Sequence, residues 1–299
     1  MTLEKYRFDG TGTFDIKAFA TAPPDEFKNK KDKIKKDIKK DIKKDIKHNT
    51  KTLSKVQEHL AAQKQYSVLI IFQGMDAAGK DSMIEHVMSG INPQGTRVVS
   101  FKVPTELELS HDFLWRIHNA FPAGGELTVF NRSHYEEVLV DRVHPELLLK
   151  ENLPGIDSVS DVHDDLWTER FNDIKALESY ARRNGILLLK FFLHISKAEQ
   201  KDRFLKRIEI PEKNWKFSLA DIRERRYWDD YQKAYQEAIQ HTATKKNPWY
   251  IIPSDDKWYS RLAVSQIINR EVTALPLKYP VISEAQKQGL VQAVTDLRD

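Results

Sequence analysis

The sequence predicts an α/β domain: a parallel β-sheet covered by helices, with a long basic helix ahead of it. Three observations carry that expectation. Nearly continuous apolar runs recur along the chain ("SVLIIFQG", "ELTVFNRS", "ILLLKFFLHIS", "PWYIIPSD"), the pattern of strands buried on both faces. Stretches of helical character separate them, and strand–helix–strand repetition gives a parallel sheet with helices on both sides. A glycine-containing loop, "QGMDAAGKDS" at 73–82, stands between the first of these runs and a helix.

The composition sets the outer limits. With 299 residues, 40% hydrophobic and 31% charged, the chain has the balance of a soluble globular protein. It has no cysteine, which excludes disulfides, thiolate metal sites and a cysteine nucleophile and agrees with a reducing compartment. The start, "MTLEKYRFDG", has no basic-then-apolar leader, and no apolar run is long enough to span a bilayer. A cytoplasmic protein with no membrane partner is expected.

In chain order, residues 1–24 read as an irregular arm rich in Gly, Pro and Thr. From about residue 30 to 63 a single long helix is expected. Ile34, Ile38, Ile42 and Ile46 recur every fourth residue, each step overshooting a turn by about 40°, so the stripe slants around the axis. Leu53, Val56 and Leu60 continue the apolar face. Residues 28–47 hold eleven Lys and four Asp, a net of +7 against +4 for the whole chain. Such a block is either a solvated helix face or the mark of a polyanion nearby. Strands are expected at 67–74, 96–104, 126–133, 186–196 and 248–255, with helices at 80–90, 106–121, 133–151, 161–184, 196–242 and 255–273. One domain over 25–273 results, with a peripheral tail at 274–299.

The loop at 73–82 departs by one letter from the phosphate-binding pattern of Gly, four residues, Gly, Lys and a hydroxyl residue. Gly74, Gly79 and Lys80 are in place, but Asp81 follows. Backbone N–H groups of Ala77, Ala78, Gly79 and Lys80 are expected to face phosphate oxygens, helped by the helix N-terminus. Asp76 is unfavourable beside phosphates unless a cation stands between, so it is the expected Mg²⁺ ligand in place of the missing hydroxyl. Asp81 is expected simply as a helix N-terminal acid. At the next strand end, Asn131 occupies the usual place of a metal-binding Asp, and Arg132 can neutralise a transferring phosphoryl group. The segment after the fourth strand places Arg203, Lys206, Arg207, Lys213, Lys216, Arg223, Arg225 and Arg226 on helices jointed near Pro211, the expected form of a lid over about 197–232. Lys102 and Arg116 are further candidates for phosphates. His118, His134, His144, His163 and His194 have no metal-binding spacing and are expected to be structural.

Together, "QGMDAAGKDS", "FKVPTELELSHDFLWRIHNAFP", "FNRSHYEEVLVDRVHPE", "KFFLHISKAEQKDRFLKRIEIPEKNWKFSLADIRERRYWDDY" and "NPWYIIPSDDKWYSRLA" resemble the polyphosphate kinase 2 family over roughly residues 25–272. The resemblance implies a P-loop kinase fold like that of thymidylate kinase, with a helical lid. It implies Mg²⁺-dependent phosphoryl transfer between inorganic polyphosphate and adenine or guanine nucleotides, with a homodimer or homotetramer as the assembly and no nucleic-acid partner. Asp76 and Lys80 match the family's loop acid and lysine, Arg132 the arginine after its second-strand acid, and Arg203, Arg207 and Arg223 its lid arginines. Asn131 departs from the Asp common in the family. "NRSHYE" looks like the branch that accepts both nucleoside mono- and diphosphates, and Glu136 and Glu137 fall, with Asn131, where the acceptor should lie. Polyphosphate needs a long basic track, and the lid and the helix at 28–47 are its candidate walls. Two other readings stand beside this one: an ATP-dependent nucleoside monophosphate kinase, and a non-catalytic polyanion-binding protein.

Overall fold

The computed structural model describes residues 3–28 and 32–298, leaving the side chains of residues 26 and 28–38 outside that description. Six strands make one sheet: β1 (Arg7–Phe8), β2 (Ser67–Gln73), β3 (Thr96–Ser100), β4 (Leu127–Asn131), β5 (Ile186–His194) and β6 (Trp249–Pro253). Their spatial order is β1-β6-β5-β2-β4-β3. β1 runs antiparallel to β6, and the other pairings are parallel, with Ile70 level with Val129 on one side and Leu189 on the other. All seven residues of β2 and all nine of β5 are buried, as central strands under two helical layers require. Successive residues serve opposite faces: Val68, Ile70 and Phe72 join the larger core, Leu69 and Ile71 the smaller one.

The helices are α1 (Asp25–Lys28), α2 (Asp32–Gln63), α3 (Lys80–Met88), α4 (Glu106–Leu109), α5 (Trp115–Asn119), α6 (Glu136–Val143), α7 (Asp164–Arg183), α8 (Lys197–Glu209), α9 (Leu219–Glu224), α10 (Trp228–Thr242), α11 (Lys257–Thr273) and α12 (Glu284–Asp296). α2 lies along α11, where Asn49 donates to Ser265 Oγ at 2.9 Å and accepts from Asn269 Nδ2 at 2.9 Å. Leu53, Val56, Leu60 and Ile42 are buried as the apolar pattern demands, whereas Ile34 and Ile38 lie outside the described side chains.

Three expectations are corrected. The arm at 1–24 is not merely irregular. Phe8, Phe14 and Ile16 enter the main core, and a two-residue edge strand pairs with β6, too short for periodicity to reveal. The helix expected at 106–121 is two short ones, because Thr105 caps α4 and the chain turns at Asp112 before α5. The stretch 196–242 breaks at Pro211, which opens a 3₁₀ turn, and at Ser218, whose hydroxyl caps α9 by accepting from the Ala220 N–H. Among the described residues no helix is long and apolar enough to cross a membrane.

One polar knot sits inside this apolar frame. Lys190, fully buried on β5, donates to Glu178 Oε2 of α7 at 2.6 Å, to Tyr135 Oη at 3.1 Å and to the Thr242 carbonyl of α10 at 3.0 Å. Tyr135 donates in turn to Glu178 Oε1 at 2.6 Å, so the turn after β4 is tied to two helices and a central strand. Removing one member leaves an uncompensated buried charge. Lys190→Met is therefore expected to lower unfolding free energy by about 3–5 kcal/mol. The double change with Glu178→Leu should recover much of that loss, as urea titration of the two variants will show.

Candidate active site

The sheet's parallel strands all end on one edge, and the chain leaves β2 for β3 on one side but reaches β5 on the other. A crevice is expected at such a switch point, outside the carboxyl ends of the strands. The loop after β2 lies there. A Cβ at Gly74 would stand 3.0 Å from the Leu193 carbonyl oxygen and from Ala78 Cβ, so any side chain there would strain the loop. Ala77 (φ +61°) and Gly79 (φ +105°) take left-handed conformations, which turn the chain sharply into α3 at Lys80.

Lys80 is 9% exposed and donates to the Gly74 carbonyl at 2.5 Å. Burial, together with the Arg132 charge, lowers its pKa to about 8 against the opposing pull of Asp76, Glu136 and Asp81. At the end of β4, Arg132 is also left-handed (φ +65°), its N–H bonded to the Phe72 carbonyl at 3.1 Å. Its guanidinium reaches Asp76 Oδ1 at 3.0 Å and Glu136 Oε2 at 2.7 Å. Asn131 donates to Asp81 Oδ1 at 2.7 Å, so Asp81 is a partner of the second strand end as well as a helix acid. Ser133 Oγ, below, accepts from Gln73 Nε2 at 3.1 Å and links the ends of β2 and β4.

A cleft of about 480 Å³ opens between this loop, the end of β3, the lid and the start of α11. Nine basic and two acidic side chains line it, a formal excess of seven positive charges. Among the described residues, Lys102, Lys206, Lys213, Lys216 and Lys257 have no carboxylate within ion-pair distance. Charge concentrated in a concave site without partners attracts a multiply charged anion. A narrower cavity of about 30 Å³ adjoins it, sharing Asp76 and Arg132 and adding Glu136, Leu139, Tyr231 and Tyr235. The lid root closes this side: Arg225 donates to Gln200 Oε1 at 2.7 Å, and Gln200 donates to the Asp76 carbonyl at 2.9 Å.

Of the expected site residues, Asp76, Ala77, Gly79, Lys80, Lys102, Asn131, Arg132, Arg203, Arg207 and Lys216 meet in the cleft. Ala78 is buried behind them, and its N–H, expected to face phosphate, donates instead to the Met75 carbonyl at 3.0 Å, closing the turn. Arg203 is committed elsewhere: it donates to the carbonyls of Ala77 and Ala78 at 2.9 and 2.8 Å, to the Ser254 carbonyl at 2.5 Å and to Glu199 at 2.8 Å. It shapes the loop. Arg207 is paired with Asp221 at 2.8 Å. Arg116, expected at the phosphates, and Glu137, expected at the acceptor, are instead buried against each other at 2.7 Å, outside both cavities. Glu137 lies within 4.8 Å of Asp141 and Glu151, a cluster balanced by Arg116 and by Arg170, in which burial and Glu137 push Asp141 up to about 9. Arg223 is exposed and lines neither cavity, since the chain tightens into a 3₁₀ turn that brings Arg225 inward instead. Lys257 and Tyr235 were missed. Lys257 follows the end of β6, and the strand-end rule applied to β2 and β4 would have marked it.

The oxygen donors lining the cleft suit a hard divalent cation: the partly exposed Asp76 carboxylate, the Asp81 carboxylate and the Asn131 amide oxygen.

A family model described as polyphosphate kinase 2 matches residues 36–278. The chain belongs to the polyphosphate kinase 2 family. An ADP-polyphosphate phosphotransferase of Rhodopseudomonas palustris is 50% identical over 240 residues, covering 80% of this chain and 82% of that one. An AMP/ADP-polyphosphate phosphotransferase of Meiothermus ruber is 40% identical over 290 residues, 97% of this chain and 100% of that one. The crystal structure of polyphosphate kinase 2 from Arthrobacter aurescens superposes with a TM-score of 0.76 at 37% identity, covering 85% of this chain and 87% of that one. The fold is thus that of the polyphosphate kinase 2 structures, a P-loop kinase fold, as the resemblance implied.

The lowered pKa of Lys80 has a measurable consequence. Lys80 keeps its charge below about pH 8 and loses it above, so the affinity of the cleft for tripolyphosphate should fall as pH rises through 8. Calorimetric titration across that range should show the step, and Lys80→Met should flatten it. Stability runs the other way: the unfolded lysine holds its proton up to about 10.5, so between the two values the folded state gains as pH rises.

Proposed function

We propose that the protein is a polyphosphate-dependent nucleotide kinase that converts ADP to ATP, accepts AMP as well, and takes adenine or guanine nucleotides. The observation that carries this reading is the cleft's excess of unpaired positive charge around Lys80 and Arg132, more charge than a single nucleotide's phosphates require. The same excess counts against an ATP-dependent monophosphate kinase. Both acceptors are supported by the names of the relatives, since one of 50% identity is called an ADP enzyme and one spanning 97% of this chain an AMP/ADP enzyme.

In this reading an oxygen of the acceptor's terminal phosphate attacks the terminal phosphorus of the polyphosphate chain. One phosphoanhydride bond forms as another breaks, and the chain leaves one phosphate shorter. Because anhydride replaces anhydride, the reaction runs in either direction according to concentration. The protein's task is positioning and charge neutralisation. Backbone N–H groups of Ala77, Gly79 and Lys80 and the Lys80 ammonium hold the chain's end. Arg132, oriented by Asp76 and Glu136, faces the junction of the two cavities and neutralises the transferring group. Asp76, with Asn131 and Asp81 nearby, would hold Mg²⁺, whose positive charge would offset that of the phosphates. Glu136, Tyr231 and Tyr235 face the acceptor's side. The enzyme works in the cytoplasm as a homodimer or homotetramer.

The test is ATP formation from ADP, and separately from AMP, with polyphosphate and Mg²⁺ and with contaminating adenylate kinase blocked. Polyphosphate-dependent ATP is expected from ADP, and ADP from AMP. Asp76→Asn and Lys80→Ala should each lower kcat/KM by about 10²-fold or more, the usual effect of removing one electrostatic group from a preorganised site. No product from a folded, Mg²⁺-supplied protein would sink the reading.

A further inference from the structure

The proposed reaction explains the cleft but not the lysine-rich part of α2. Beside its buried seam the charge is sorted by sign. With about 100° per residue, Lys39 and Lys43 fall about 60° and 100° to one side of the buried Ile42, and Asp45 and Asp41 lie the same angles to the other. The lysine side meets α11. Lys39 Nζ and Lys43 Nζ stand 5.1 and 5.0 Å from the centre of the Trp258 ring, and the Arg261 guanidinium stands 5.0 Å from it. Three cations surround one half-buried indole. Among the described residues none of the three has a carboxylate within ion-pair distance. Glu85 and Asp256 act on Arg261 only from farther away.

This cluster continues the cleft. Trp258 directly follows Lys257, which is exposed and lines the cleft with Lys213 and Arg203. Lys257 feels the positive charges of Arg203, Arg261 and Lys213, which, after burial, lower its pKa. Basic residues therefore lead from the loop through Lys213 and Lys257 to Arg261 and on to Lys39 and Lys43, with Glu199, Glu85 and Asp256 beside them but not in ion-pair contact with Lys257, Arg261, Lys39 or Lys43. Lys40 and Lys44 occupy the outer face, Lys44 beside Asp41, whereas the two lysines flanking the buried seam are turned to Trp258 and the two aspartates flanking it are turned away. Cations held together over a ring, unpaired, repel one another, and a bound polyanion relieves that repulsion.

We infer that the lysine face of α2 and the start of α11 form an exosite that grips the distal part of a polyphosphate chain whose reacting end lies in the cleft. The inference rests on polyphosphate being the donor. It makes the enzyme favour long chains: a short chain fills the cleft alone, whereas a long one adds contacts at Arg261, Lys39 and Lys43. These contacts lie outside the chemistry, so they change binding of the donor and not turnover.

The experiment compares wild type, Lys39→Gln/Lys43→Gln and Arg261→Gln with long-chain and short-chain polyphosphate as donors to ADP. In both variants KM for the long chain should rise roughly threefold to tenfold, the size expected for one or two exposed charge contacts. KM for the short chain, KM for ADP and kcat should stay at wild-type values. For the double variant the slope of log KM against log salt should shrink by about 1.4, at roughly 0.7 per lost contact on a single-stranded polyanion. An equal rise for both chain lengths, or none for the long chain, would overturn the exosite. Thermal melts identify a variant that fails to fold, and the exposed double variant keeps the test open if Arg261→Gln does. Direct binding of long and short polyphosphate, read by fluorescence titration, runs alongside. A wild type that transfers from neither chain sinks the kinase reading, whereas a working wild type with length-independent variants sinks only the exosite.

Discussion

The guanidinium of Arg203 is the contact on which the site depends. A loop that turns its N–H groups toward a phosphate must turn carbonyls the other way, into the protein, where an unsatisfied acceptor costs about 1–3 kcal/mol. Arg203 takes up the carbonyls of Ala77 and Ala78 and reaches the Ser254 carbonyl after β6 as well. Because Arg203 sits on α8, the root of the lid is fastened to the loop and to a third strand end by one side chain. The left-handed backbone at Ala77 and Arg132 is held within this fastening. Such conformations cost about 1–3 kcal/mol each and persist where the surroundings over-determine them.

Charge is handled in two opposite ways on either side of the turn after β4. Beneath it, Lys190 with Glu178, and Arg116 and Arg170 with the buried Glu137 and Asp141 and the partly buried Glu151, are matched. These groups brace α5, α6, α7 and β5. Above it, Lys102, Lys206, Lys213, Lys216 and Lys257 face the cleft unmatched. The sequence presents all of these residues as the same mixture of acids and bases. Burial decides which charges must find partners within the protein, and concavity decides which are left for a ligand.

Arg132 stands at the boundary between the two regimes. It is paired, with Asp76 and Glu136, yet it lines both cavities. The pairing fixes the planar guanidinium in one orientation, so its charge is already aimed when a phosphoryl group passes between the cavities. Preorganised charge of this kind avoids the cost of reorientation during reaction.

The sequence by itself determined the sheet and the loop. A buried parallel strand must be apolar on both faces, and a phosphate loop must carry glycines at fixed spacing before a helix, so β2, β4, β5 and β6 and residues 74–80 were legible letter by letter. It also named most of the cleft, because strand ends and lid bases can be listed in order. Only the tertiary structure decided which basic residues are free. Arg116 and Arg223 look no different in sequence from Arg132 and Arg225, yet one finds Glu137 across α6, another points outward and the last two converge on Asp76 and Gln200. The same holds for Lys257 and for the lysine face of α2, whose significance comes from residues more than two hundred positions apart meeting at Trp258. Long-range pairing sets the partner of each charge, and no local pattern encodes it.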